Sequence, residues 1–590
     1  MISGLDILLI GIFVFLNIAV AIRIRGGRKT FGEYAIGKGT YFSDLTIICT
    51  FVASFCTGSK FISNIQQTYI QGLPYIITSL IMFPASYLLY SLFVAPKMTM
   101  QSLTIYEHIG YFYGEKIQAI LSLCEVCRNI GLIAMQLTVI GIAANMIFGV
   151  DVLGRNIIIS LSAIGLATYS AFGGLRSVSI TDIVQGLAFM ILILFFAIYI
   201  WSATPDHSGF IAQFYENKAR MNLSKNFSSV ASTISILAIW SKALVPWFST
   251  RGYQRVVMNQ GPRRAKKNLL MVTLIFTSVS LLLAFISLQL YGVNPNLKLN
   301  DIFPFMIEHY SFNGINGTLF ITIFAMVISS VDTDANAVSV LLTNDILPLV
   351  NKKFKQKTYN TAVYTTFIVV AIALYFSLNS SDVFKMLMYS SNFTMPICVI
   401  TLSNVLGFRT HTNVIWAAII SAFVATVSYS FFMRGTGFAQ YAFFPGMCAC
   451  GASLILGHLY YTKIKGWEND KEEPYYDPYT PEQNAAMLRR AETGEWKTAF
   501  NKAMDRREFE KKYKEIMIEK MKLTVEEYEE EKQKKEEEVN KTIENVRKNI
   551  LDSKKKEEKI KYKDKEINRG LSNTQSVIND STKKNPEKGR

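Results

Sequence analysis

Between Thr318 and Asp345 the chain reads TLFITIFAMVISSVDTDANAVSVLLTND, an apolar stretch with Ser329, Ser330, Asp332, Thr333 and Asp334 at mid-length. A spanning helix needs about 20 apolar residues, and a charge near its centre costs about 2.5–3.5 kcal/mol on insertion scales. Such residues are retained where something polar binds or passes. On a helix Ser329, Asp332 and Thr333 fall at i, i+3 and i+4, on one face. That face offers two hydroxyls and a carboxylate, hard oxygen donors suited to a small cation. The competing reading bonds the hydroxyls to carbonyls of their own helix and leaves Asp332 in an ion pair that only holds the fold.

Two further stretches have to position that face. Residues 43–66 form an apolar segment that turns small and polar at Ala53, Ser54, Thr57, Gly58 and Ser59, with Lys60 following. Discontinuous membrane helices have this composition, because unwound backbone presents carbonyls and amides to a ligand. A close-packed interface of small residues, with Lys60 snorkelling, has it too. The segment from 229 to 250 contains Pro246, which interrupts the helical ladder. It lies five spans after the first interruption, the offset that an inverted repeat of five helices produces.

The 590 residues are half hydrophobic, which places the chain among polytopic membrane proteins. Residues 1–462 hold long apolar runs that read as about 13 transmembrane helices. Residues 463–590 hold 32 Lys/Arg against 29 Asp/Glu and read as a charged helical cytoplasmic tail, disordered at its end. The net charge of +16 divides into +13 for the membrane part and +3 for the tail. With the N-terminus outside, loops assigned inside carry 19 Lys/Arg and those outside carry 6. That asymmetry predicts an external N-terminus and a cytoplasmic C-terminus in a plasma (inner) membrane, and it speaks for topology, not nucleic-acid binding. Lys60, Arg128, Lys242 and Lys385 fall within the spans.

No phosphate-binding loop, dinucleotide fingerprint or metal-ligand spacing is present. Cys124 and Cys127 have redox-type spacing but lie on a membrane segment without a second pair, and read as packing residues. An enzyme or an ATP-driven pump is not expected, nor any cofactor.

The segments FGEYAIGKGTYFSDLTI, LTIYEHIGYFYGEKI, GGLRSVSITDIVQG and YQRVVMNQGPRRAKK, together with the Ser329–Ser330 stretch, resemble the sodium:solute symporter family in order and placement over about residues 25–350. The resemblance implies the LeuT-type fold, an inverted repeat of five helices, here about 43–203 and 229–406. It also implies a sodium site made of the carbonyls of Ala53, Cys56 and Met326 with the hydroxyls of Ser329 and Ser330. A second cation site, found in some members, maps to Asp182, Asp332 and Thr333. Asp332 departs from the family pattern by placing a carboxylate where a hydroxyl is usual, which would tighten an ion site or let two carboxylates share a proton.

Substrate contacts by the same resemblance fall on Thr57, Ser59 and Lys60, and Arg128 resembles an arginine that holds a carboxylate in the sialic acid branch. Lys60 argues against a sugar. Two cations suit a carboxylate, unless Arg128 is neutralised by Glu125 at i, i+3. The expected function is sodium-coupled import of a small organic solute. The alternative is a membrane sensor that signals through the tail, which would then need a protein partner; a channel fits broken helices poorly.

Overall fold

The computed structural model describes residues 3–461, except 25–30, 38–41, 73–74, 77–80, 99–101, 209–228, 299–300, 352–353, 355–357 and 381. The described residues all belong to one of two compact units, that of residues 1–475 with 498–510. The tail expected from 463 onward lies outside them.

Helices account for the described architecture, and no strand is present among these residues. In chain order they are α1 (Gly4–Ile24), α2 (Phe31–Ile36), α3 (Asp44–Phe55), α4 (Gly58–Gln71), α5 (Met82–Leu89), α6 (Ile105–Tyr113) and α7 (Glu115–Phe148). Then follow α8 (Val152–Ala203), α9 (Val230–Ser241), α10 (Thr250–Val257), α11 (Pro262–Val293), α12 (Ile302–His309) and α13 (Ile315–Leu341). The remainder are α14 (Leu347–Val350), α15 (Tyr359–Leu378), α16 (Val383–Thr394), α17 (Cys398–Val405), α18 (Thr412–Phe432) and α19 (Phe443–Tyr460).

Polarity is arranged for lipid. Ile7, Phe15, Ile191, Leu281, Val427 and Leu456 are exposed, whereas Asp182, Ser329, Asp332 and Thr333 are fully buried. Large exposed apolar surface of this extent is a bilayer face. Eight described helices are long and apolar enough to cross a bilayer, or nine with the bent pair α3 and α4. The expected count of about thirteen is not reached by that measure. Gly4–Asn17 and Val152–Thr168 are shorter apolar stretches, and 230–257 is interrupted.

Three interruptions shape the bundle. Between α3 and α4 the chain bends by 59°. The Cys56 amide still closes on the Val52 carbonyl at 2.8 Å, and Thr57 then caps α4 by accepting from the Lys60 amide at 3.3 Å. In α8 the break is Gly174, at φ +62°, a conformation costly for a side chain. A Cβ there would also fall 2.9 Å from the Tyr34 ring. The third break follows α9, where a tight turn over Lys242–Trp247 containing Pro246 leads to Ser249, the cap of α10.

The ends of the spans sort into two groups. At one end Tyr34 bonds Ser339 at 2.9 Å, Tyr359 donates to the Phe172 carbonyl at 3.0 Å, and Arg264 donates to Asp44 at 2.6 Å. At the other Thr204 bonds Tyr310 at 2.9 Å, Tyr69 donates to the Asn294 carbonyl, and Asp6 accepts the Gly317 amide at 2.7 Å. Asp6 thus has a structural use: it satisfies a free amide at the start of α13.

Candidate functional site

The break between α3 and α4 lies along α13. Ser54 Oγ is 3.2 Å from Thr333 Oγ1, and a Cβ on Gly58 would fall 2.5 Å from Val327 Cγ2 and 3.2 Å from the Ile323 carbonyl. Residues 54–58 therefore run beside 323–333, with glycine required by the close approach. This brings the carbonyl end of α3, with Ala53 and Cys56, against the stretch holding Met326, Ser329 and Ser330. The two serines differ in use. Ser330 Oγ donates to the Met326 carbonyl at 2.8 Å, within its own helix, whereas Ser329 Oγ reaches across to Asp182 Oδ1 at 2.5 Å.

Asp182, just beyond the Gly174 break, also accepts from Thr50 Oγ1. Its charge partner is Arg255, whose Nη2 lies 3.8 Å from Asp182 Oδ2 and donates to Thr333 Oγ1 at 2.6 Å. The structure thus brings Asp182 and Thr333 together around a guanidinium. Asp332 takes part in none of these bonds; its carbonyl accepts from Ser170 at 3.3 Å, in the part of α8 before the break.

Thr57 Oγ1 is 3.0 Å from Ser59 Oγ, and Gln136 Nε2 on α7 donates to Ser59 Oγ at 3.0 Å. Lys60 Nζ turns back to the carbonyl end of α3, donating to Phe55 at 3.2 Å, and lies 3.3 Å from the centroid of the Phe83 ring. The helix dipole and the ring face both favour a cation there. Arg128, buried on α7, donates to Asn129 Oδ1 at 2.9 Å. The expected alternative, an ion pair with Glu125, is not formed at bonding distance. Glu125 instead accepts the Thr250 amide at 2.8 Å and its hydroxyl at 2.6 Å, because the start of α10 presents unpaired amides to it.

Arg251 and Arg255 are the residues that sequence reading misses. TRGYQRVV is polar and reads as a loop, yet both arginines are buried on α10. Arg251 Nη1 pairs with Asp334 Oδ1 at 3.0 Å and stacks 4.4 Å from the centroid of the Phe55 ring. A signal is present: Ser249 is a capping residue, and positions 251 and 255 are i, i+4. Lys385, expected inside a span, is exposed in the first turn of α16 and pairs with Asp382 at 3.0 Å. Cys124 and Cys127 are free thiols on α7, and no metal-holding cluster occurs among the described residues.

Two broken helices, packed with buried polar groups against an unbroken one and wrapped in apolar surface, define a membrane transporter. The model of the sodium:solute symporter family matches residues 39–403, and the chain belongs to that family. Among solved structures it is similar to a sodium-coupled sialic acid symporter in a substrate-bound, outward-open state, with a TM-score of 0.62 and 18% identity, covering 76% of this chain and 98% of that one. A mutant manganese transporter of Eremococcus coleocola has a TM-score of 0.44 at 11% identity over 72% of this chain and 98% of that one. No curated protein matched in sequence. The fold is the expected all-helical LeuT-type symporter fold.

Proposed function

We propose that the protein imports a small carboxylate-bearing organic solute together with sodium, by alternating access, through residues 1–462. The observation that carries this is the carbonyl end of α3 lying beside α13 while Lys60 stands at the break, with Arg128 within its electrostatic reach. Sodium is seated by Ala53, Cys56, Met326, Ser329 and Ser330, and the solute by Thr57, Ser59, Lys60 and Arg128. A second cation is seated at Asp182, Asp332 and Thr333, the positions that the family resemblance implies; the similar sialic acid symporter is itself described with a novel sodium site. In this chain a second cation would displace Arg255 from Asp182.

Energetics favour two cations. A membrane potential contributes about 2.3 kcal/mol per charge per 100 mV, and a tenfold sodium gradient about 1.4 kcal/mol per ion. One sodium with a monoanion moves no net charge and retains only the gradient. For a monoanion a second cation restores the electrical component, and for a dianion it removes the cost of carrying net negative charge inward.

The N-terminus is placed outside and the tail in the cytoplasm by the distribution of basic residues. A sensor that uses the tail is the second reading, favoured by the long charged segment after 463. A thermal-shift screen of purified protein with organic acids, amino acids and sugars, in sodium or potassium, tests the solute and the ion together. Stabilisation by an organic acid only in sodium supports symport of an anion; stabilisation by a sugar alone would overturn it. Uptake that survives removal of residues 480–590 in a normally inserted protein separates transporter from sensor.

A further inference from the structure

Resting on the reading of this site as one for an organic anion, we infer that the solute is a dicarboxylate, held at one end by Lys60 and Arg128 and at the other by Lys242. Lys242 lies in the turn between α9 and α10, so each interrupted helix contributes one lysine at its break. Both are half-buried, whereas Arg128, Arg251 and Arg255 are buried, so the lysines retain access to an arriving solute.

Helix α5 puts the two lysines against one surface. Lys60 Nζ lies over Phe83, and one turn later Ser86 Oγ donates at 2.6 Å to the carbonyl of Ala243, the neighbour of Lys242. The cations also feel each other. Lys242 is within electrostatic reach of Arg128 and Lys60, and Lys60 of Arg128 and Arg251.

Three of the buried carboxylates are committed elsewhere. Asp334 pairs with Arg251, Asp182 with Arg255, and Glu125 caps α10 while sharing the field of Arg128. Among the described residues neither lysine has a carboxylate at ion-pair distance. Lys60 has a carbonyl and a ring face. Lys242 Nζ has the Leu387 carbonyl at 3.4 Å and Met388 Sδ at 3.8 Å. That carbonyl already accepts from Ser390 at 3.0 Å and Ser391 at 2.7 Å, so the ammonium is poorly satisfied. An amino group inside a bundle carries its charge only where counter-charge stands beside it. Two such groups, facing one region without a carboxylate of their own, ask for two negative charges on the ligand.

The test is a thermal-shift titration of purified full-length protein in fixed sodium chloride. The probes are matched in chain length: succinate against butyrate and glutarate against valerate. The inference expects a dicarboxylate to half-saturate at a concentration about tenfold or more below its monocarboxylate. Lys242→Gln should remove that preference while leaving the weaker monocarboxylate response, and Lys242→Arg should keep it. Equal responses to both members of a pair in sodium would overturn the dicarboxylate and leave anion symport standing. A preference unchanged in Lys242→Gln would also overturn it. A protein that no anion stabilises in sodium would overturn both readings.

Discussion

Arg255 Nη2 lies 3.8 Å from Asp182 Oδ2, and both side chains are wholly buried. A guanidinium fills the place between α8 and α13 where a second cation is expected, and Thr333 completes its cage at 2.6 Å. Removing one member of a buried pair strands the other, at a cost of about 3–5 kcal/mol. Asp182→Asn and Arg255→Met should each lower the melting temperature, and the double variant should lose clearly less than the sum. Strict additivity in that cycle would mean that the pair does not interact.

Ser329 and Ser330 should differ as alanine variants. Ser330 bonds only within its own helix, whereas Ser329 also supports Asp182. Ser329→Ala is expected to raise the half-saturating sodium concentration by more than Ser330→Ala does. Sodium titrations of the two proteins compare them directly, and an equal or reversed order would contradict the geometry.

Gly58 should not tolerate a side chain. Its Cβ would meet Val327 at 2.5 Å and the Ile323 backbone at 3.2 Å, and backbone cannot step aside as a side-chain tip can. Overpacking of this kind costs about 1–3 kcal/mol. Gly58→Val is expected to abolish sodium-dependent stabilisation even where the protein inserts and purifies normally; a wild-type response would show that the break does not pack on α13 as described.

His108, on α6 outside the spans, stacks edge-on to Phe112 with centroids 5.0 Å apart. Burial, and next the charge of Arg409, holds its imidazole down from 6.5 to about 3. The folded state therefore binds fewer protons than the unfolded one below the ordinary histidine pKa. Stability is full above about pH 6.5 and declines as pH falls from there toward the folded value. The melting temperature in detergent should drop between about pH 7.5 and 5. His108→Asn should drop less over the same interval; an equal drop would assign the acid sensitivity to other groups.

Sequence made the outline of this site legible for physical reasons. Carboxylates at mid-span on α13 are too costly in lipid to be accidental, the small residues at 53–59 are poor material for a continuous helix, and Pro246 marked the break after α9. What it concealed is the helix after that break. TRGYQRVV is polar enough to pass for a loop, and only its packing against α3 and α13 shows that Arg251 and Arg255 lie inside. The fate of Glu125 was hidden in the same way. Its partner at i, i+3 was readable, but the competing amides of α10 become neighbours only on folding.

The most direct measurement is a thermal-shift titration of purified full-length protein with sodium chloride, matched against potassium and choline chloride at equal ionic strength. Saturable stabilisation by sodium alone, lost in the Ser329→Ala/Ser330→Ala double variant, is the expected result. Equal stabilisation by all three salts, or a double variant that keeps the wild-type sodium response, would contradict a sodium site between α3 and α13.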